Sequence, residues 1–318
     1  MITFCKYALC FAMFFKKNTF RQLQNQSFSW LLVMCLLLFS SLSYGQESSD
    51  KQDNSANKPV IKDEFEWQII LDLSLIYDPT IIAGIEQEEL SHYLLPGLLV
   101  DISYKGFYLQ TNQRRSHVLL GGTELGYQLL IENDWQLDLI LKAYMQGYDS
   151  QSLIDYGGGD PELLSGLKER EVTIGAAVRY SRYFEDALFR LDFAYGSSGE
   201  DENENHVGGL IIDSFYSYLL PYKNWDIYLG AGLSYFSQDI INYYIGVSPD
   251  EVLATRPEYQ AEAGLRAQAE VYAQYPVSES WSFHTGITHS YFSKNVKDSP
   301  LVDTNQVTQV TLGVMYVF

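Results

Sequence analysis

The last thirteen residues, Gln306 to Phe318, read QVTQVTLGVMYVF and stop on an aromatic ring. Counting back in twos from Phe318 puts Tyr316, Val314, Leu312 and Val310 on one face, with Thr311, Gly313 and Met315 between them. Successive side chains of a strand point to opposite faces, so this is a strand with one fully apolar face. A soluble sheet could bury such a face. At the C-terminus and ending on Phe, it is also what an outer-membrane barrel presents to the barrel assembly machinery.

The same alternation runs through the chain from Trp67 onward. In 225–236, Trp225, Ile227, Leu229, Ala231, Leu233 and Tyr235 share a face against Asp226, Tyr228, Gly230, Gly232 and Ser234. The segments 135–148 and 261–275 repeat the scheme, each about as long as a tilted membrane strand needs. The pattern predicts strands over 66–77, 92–103, 105–112, 117–131, 135–148, 170–183, 187–197, 207–220, 224–237, 260–275, 280–292 and 306–318. Connections after even strands are short, and those after odd strands mostly long, the arrangement of an outer-membrane barrel whose short turns and both ends are periplasmic. The expected fold is therefore all-β: a transmembrane antiparallel barrel of about 12 strands over residues 65–318. A soluble β-sandwich explains the alternation but not the loop asymmetry.

Side-chain chemistry sets the register. Trp67, Trp135, Trp225 and Trp281 each open an odd-numbered strand on its apolar face, forming a periplasmic aromatic girdle with Phe318, and Tyr77, Tyr195, Tyr235 and Tyr291 mark the other rim. Lys142, Arg179, Arg190 and Arg266 fall in the opposite, lumen-facing phase, because turning such a cation to lipid costs about 2–4 kcal/mol near the midplane. Asp138, Asp192, Glu262 and Glu270 share that phase, as do Asp72, Asp101, Glu124 and Glu171. Such charges either brace a filled interior or line a weakly cation-preferring pore, and twelve strands lie between the packed eight-strand and open sixteen-strand cases.

The N-terminal part reads differently. Lys16, Lys17 and Arg21 precede the apolar run 30–39, followed by small residues with Ser43 and Gly45 placed for cleavage before Gln46. That predicts a secretory signal peptide over residues 1–45, with Met13 as an alternative start, and a polar, flexible periplasmic lead over 46–64. Cys5, Cys10 and Cys35 all lie in the predicted leader, so the remainder has no thiol for a disulfide or a metal. Removing the leader takes four cations and no anions, leaving 17 cations against 40 anions. A net charge of −23 excludes nucleic acid as a partner.

Catalytic and cofactor patterns are weak. His284 and His289 are five apart on one strand and point to opposite faces, so they cannot chelate one metal. Ser290 points away from His289, and His92, His117 and His206 stand singly at loop edges. The Gly-rich run 157–161 lacks the Lys-Ser/Thr of a phosphate loop and reads as a flexible outer loop. The acidic run 199–205 matches no calcium-loop spacing. The expectation is no enzyme, no cofactor and no metal.

The C-terminal half is similar to the MipA/OmpV family of MltA-interacting proteins. The residues that carry the resemblance are Tyr243-Tyr244-Ile245-Gly246-Val247-Ser248-Pro249-Asp250-Glu251, Pro257-Glu258-Tyr259 with Ala261 and Gly264, Ser299-Pro300-Leu301-Val302, and Gly313 to Phe318. Weaker echoes are Leu95-Pro96-Gly97 and Ser165-Gly166-Leu167, while Asp78 to Gly84 departs from the family's first hairpin. The resemblance implies a Gram-negative outer-membrane barrel set in lipid. In one member this is a non-enzymatic scaffold joining a murein hydrolase to a peptidoglycan synthase; in others it is a porin-like or adhesin-like surface protein.

Overall fold

The computed structural model describes residues 65–85, 94–111, 123–157, 159–200 and 206–318. The predicted leader and lead lie outside the described residues, as do His92, His117, Gly158 and 201–205 of the acidic run.

Twelve antiparallel strands close on themselves in sequence order. They are β1 (Glu66–Tyr77), β2 (Leu94–Tyr104), β3 (Phe107–Gln110), β4 (Glu124–Ile131), β5 (Trp135–Met145) and β6 (Thr173–Tyr183). The second half comprises β7 (Ala187–Glu200), β8 (His206–Tyr222), β9 (Trp225–Phe236), β10 (Gly264–Pro276), β11 (Trp281–Phe292) and β12 (Gln306–Val317). The C-terminal strand joins the first, from Ile70 opposite Val317 to Tyr77 opposite Val310.

Alternation is what makes the closed wall two-faced. Along β1, Asp72, Ser74 and Ile76 are buried, while Leu71, Leu73 and Leu75 are exposed. Leu139, Leu141, Leu229, Leu233, Leu265, Leu312 and Val314 continue the exposed apolar surface around the barrel. Water does not favour so wide an apolar belt; hydrocarbon does. One rim carries the short turns, among them Lys105-Gly106, both at positive φ (49° and 83°), as a two-residue hairpin turn requires.

The other rim carries the long connections, which fold over the barrel mouth. They contain α1 (Ser150–Gly157), α2 (Pro161–Leu164), α3 (Gln238–Ile245) and α4 (Lys294–Lys297). The run 157–161 differs from the flexible loop expected of it: Asp160 caps α2 by accepting from Glu162 N–H at 2.8 Å, and Pro161 opens the helix. No helix among the described residues is long and apolar enough to cross a membrane, a criterion that leaves β-barrels untouched.

Candidate functional site

Polar side chains among the described residues gather at several places in the barrel interior. The largest is a row at one level of the ladder: Asp138, Arg179, Asp192, Asp213, Ser234 and Arg266 stand opposite one another on successive strands β5 to β10. Arg179 spends its donors on both sides, Nε on Asp192 at 2.7 Å and Nη1 on Glu124 at 2.7 Å. Asp192 and Asp213 face each other directly, an arrangement that repels until a cation joins it. Lys142 is that cation, with Nζ 2.7 Å from Asp192 and 3.3 Å from Asp213. Water scarcely reaches this level: Glu124 is 1% exposed, Asp138 and Asp192 2%, and Arg179 4%.

A second assembly crosses the closing strand. Ser74 Oγ donates to Asp72 at 2.8 Å and lies 3.1 Å from His284 Nε2, which is 2.9 Å from Asp72 Oδ1. Gly313 of β12 lies beneath, where a Cβ would come within 2.2 Å of Ser74 Oγ and 2.5 Å of His284 Nε2. Ser, His and Asp together suggest nucleophilic catalysis, but the wiring is wrong. Serine and acid share Nε2, Nδ1 has no partner to orient the ring, and His284 is 1% exposed. His289 lies exposed on the other face, 2.9 Å from Thr308 Oγ1.

Toward the short-turn rim the interior opens into a vestibule of about 350 Å³, roofed by Glu124 and Arg179 and walled by Asp101, Tyr108, Asp138 and Arg190. Asp138 accepts from Tyr108 at 3.1 Å and Gln136 at 2.6 Å, and Asp101 from Gln110 at 3.2 Å. Tyr108 reaches across because Gly126 leaves room; a Cβ there would lie 2.0 Å from its ring.

The opposite mouth is covered by the knitted long loops. Ile240, Ile241, Tyr244 and Ile245 of α3 are buried against the barrel, and the Tyr244 hydroxyl lies 2.9 Å from Thr173 Oγ1. The Arg170 guanidinium meets Glu251 at 2.9 Å, and Lys168 meets Asp250 at 2.7 Å. Arg256, fully buried, donates to the carbonyls of Glu251, Leu163 and Ser165. Burial pushes the Tyr148 hydroxyl up to about 12, and that hydroxyl donates to the Tyr244 carbonyl. Among the described residues no group of three His, Cys, Asp or Glu side chains is placed to hold a metal ion.

A family profile described as MltA-interacting protein MipA matches residues 73–318. The chain belongs to the MipA family. Among the relatives of this MipA-family chain, outer membrane protein OmpV of Vibrio cholerae is 25% identical over 182 residues, 56% of this chain and 65% of OmpV. The MltA-interacting protein of Escherichia coli is 25% identical over 161 residues, 48% of this chain and 59% of the relative. Each match thus spans less than two-thirds of the relative's length. Among solved structures, the NanC porin covers 78% of this chain and 98% of its own, at 8% identity and a TM-score of 0.37. The channel DcaP of Acinetobacter baumannii covers 80% and 97%, at 7% identity and 0.39. The protein is an outer-membrane β-barrel.

Of the stretches that carry the MipA resemblance, those around Tyr243–Tyr259, Ser299–Val302 and Leu167 meet in the loop cap, while Gly313 to Val317 belong to β12. Val247 and Leu301 pack with Leu167, Ser299 donates to the Ile245 carbonyl at 2.6 Å, and Tyr259 donates to the Asn295 carbonyl at 2.6 Å. Two residues placed in the lumen by sequence lie elsewhere. Glu262 is exposed ahead of β10, because Asn242 Oδ1 takes the Ala261 N–H and Asn295 donates to the Glu262 and Ala263 carbonyls, leaving the ladder to begin at Gly264. Glu171 is exposed ahead of β6, its N–H given to the Tyr243 hydroxyl. Glu270 is 6% exposed, and Arg266 lies 3.2 Å from Ser234 Oγ. Trp67, Trp281 and Phe318 stand about half exposed at the short-turn rim. There the Trp281 ring lies tilted against Tyr316 at 4.9 Å and Trp225 against Tyr275 at 5.1 Å, and Trp135 lies 6.1 Å from Tyr180. Sequence reading missed Asp213, the Asp72–Ser74–His284 contact and the Arg170–Glu251 pair; strand parity places the first in the interior, whereas the other two need the closed tertiary pairing.

Proposed function

We propose that this MipA-family barrel is a non-enzymatic outer-membrane scaffold that offers its short-turn, periplasmic rim to murein-remodelling proteins. The observation that carries the reading is the burial of the interior charge row, with Glu124, Arg179 and Asp192 between 1% and 4% exposed. An ion path would keep such groups wet; here they are spent on one another. The described long loops, folded over the opposite mouth, support the same reading. A buried Ser–His–Asp cluster with the wrong wiring supports no hydrolysis. The Escherichia coli relative is named for an interaction with MltA, and a murein hydrolase is the corresponding partner for this chain.

A porin-like reading draws on the vestibule, which holds about 350 Å³ of open space. Conductance of the refolded barrel in a planar bilayer, with a mock-refolded control, separates the two readings. The scaffold reading expects a folded but silent barrel that retains a purified lytic murein hydrolase when immobilised. Reproducible, slightly cation-selective steps without hydrolase retention would replace it with transport.

A further inference from the structure

One cation in the vestibule wall makes no direct ion pair among the described residues. Arg190 of β7 stands between Ser181 of β6 and Phe215 of β8, both uncharged. Its Nε is buried without a hydrogen-bond partner, and the residue makes no ion pair among the described residues. Its diagonal neighbour Arg179 is fully committed to Glu124 and Asp192. A guanidinium cannot shed its proton, and a half-buried cation beside a second cation is unfavourable until an anion meets it. Glu124 and Asp192 offset part of its charge from a distance while pairing directly with Arg179, so a direct partner for Arg190 would enter from solution through the cavity that it lines.

The acidic groups of the lining limit what it can be. Asp101 and Asp138 repel a compact multivalent anion but accept hydrogen bonds from hydroxyl or amide groups. The polar residues Gln68, Ser103 and Gln128 also line the space. A volume of about 350 Å³ is within the range of small-ligand pockets. We propose that the vestibule binds a small carboxylate-bearing saccharide or peptide fragment, its carboxylate on Arg190 and its hydroxyl and amide hydrogens on the acidic wall. The fragment comes from murein, a choice that rests on the scaffold reading; the carboxylate requirement does not.

The test is calorimetric titration of the refolded full chain with N-acetylmuramyl-alanyl-isoglutamine, with the same compound amidated at its carboxylate, and with inorganic phosphate. Saturable binding of the acid is expected, weakened about tenfold or more by amidation and by Arg190→Gln, and largely restored in Arg190→Lys. Equal binding of acid and amide, unchanged binding by Arg190→Gln, or no binding to the folded wild type overturns the proposal. Phosphate binding as tightly as the acid overturns the saccharide or peptide class and leaves an adventitious ion only. Should Arg190→Gln fail to fold, Gln128→Leu gives the second reading, with loss of affinity expected and an unchanged affinity counting against the site. Failure of the acid to bind while the hydrolase is retained sinks the vestibule alone; the reverse result sinks the scaffold alone.

Discussion

Arg170 and Glu251, 81 residues apart in sequence, meet at 2.9 Å with both side chains buried in the cap. Glu251 also accepts the Lys168 N–H at 2.8 Å and closes a capping box with Ser248. Removing one member strands the other without a counter-charge, which costs about 3–5 kcal/mol for buried pairs. Glu251→Gln is expected to open the cap while leaving the wall intact, seen as faster hydrogen exchange in α3 but not in β8. Unchanged protection in α3 would show that the pair does not hold the cap.

The same carboxylate sets a pH limit. Burial alone would raise Glu251, but the hydrogen bond and charge of Arg170, with the Lys168 and Ser248 N–H groups, hold it below the usual carboxylate range. A carboxylate depressed on folding contributes stability above its ordinary value of about 4.3, and that contribution is lost as pH falls through the folded value. The cap is expected to stay closed from neutral pH to about 5 and to loosen below about 4. Exchange rates of α3, corrected for intrinsic pH dependence, follow this course in the wild type and lose it in Glu251→Gln.

Arg179→Ala leaves Glu124 and Asp192 buried without their cation, an expected loss of about 3–5 kcal/mol. The urea midpoint of the refolded barrel falls accordingly. Arg179→Lys rescues only partly, since one ammonium cannot reproduce the guanidinium fork that bridges two carboxylates.

Gly313→Ala places a methyl 2.2 Å from Ser74 Oγ and 2.8 Å from the Leu73 carbonyl. Overpacking of this kind costs about 1–3 kcal/mol. Gly232→Ala, whose nearest neighbour lies at 3.2 Å, is expected to cost less. Thermal unfolding of the two variants in one detergent measures the difference, and equal midpoints would contradict it.

Local pattern carried the wall and little of the cap. Period-two alternation is a property of each strand alone, so β1, β9 and β12 could be read at close to their observed bounds, and Trp135, Trp225 and Trp281 are the first residues of β5, β9 and β11. Expectation and structure part at strand ends facing the cap, as at Thr173 and Gly264, where side chains from distant loops take the backbone groups that a ladder would use. The contents of the interior divide the same way. Strand parity turns Asp138 and Arg179 inward, but the pairing of Arg170 with Glu251, or of Asp72 with His284, depends on closure that no single segment records.

The Asp72–Ser74–His284 contact joins β1 to β11 over β12, so the seam where the first and last strands of the barrel meet is fastened twice, once by the backbone ladder and once by a latch across it. Such a latch needs β12 in register, with its glycine beneath the Ser74 and His284 side chains. A barrel zipped one residue out of phase would find a side chain where Gly313 belongs and would leave the latch open.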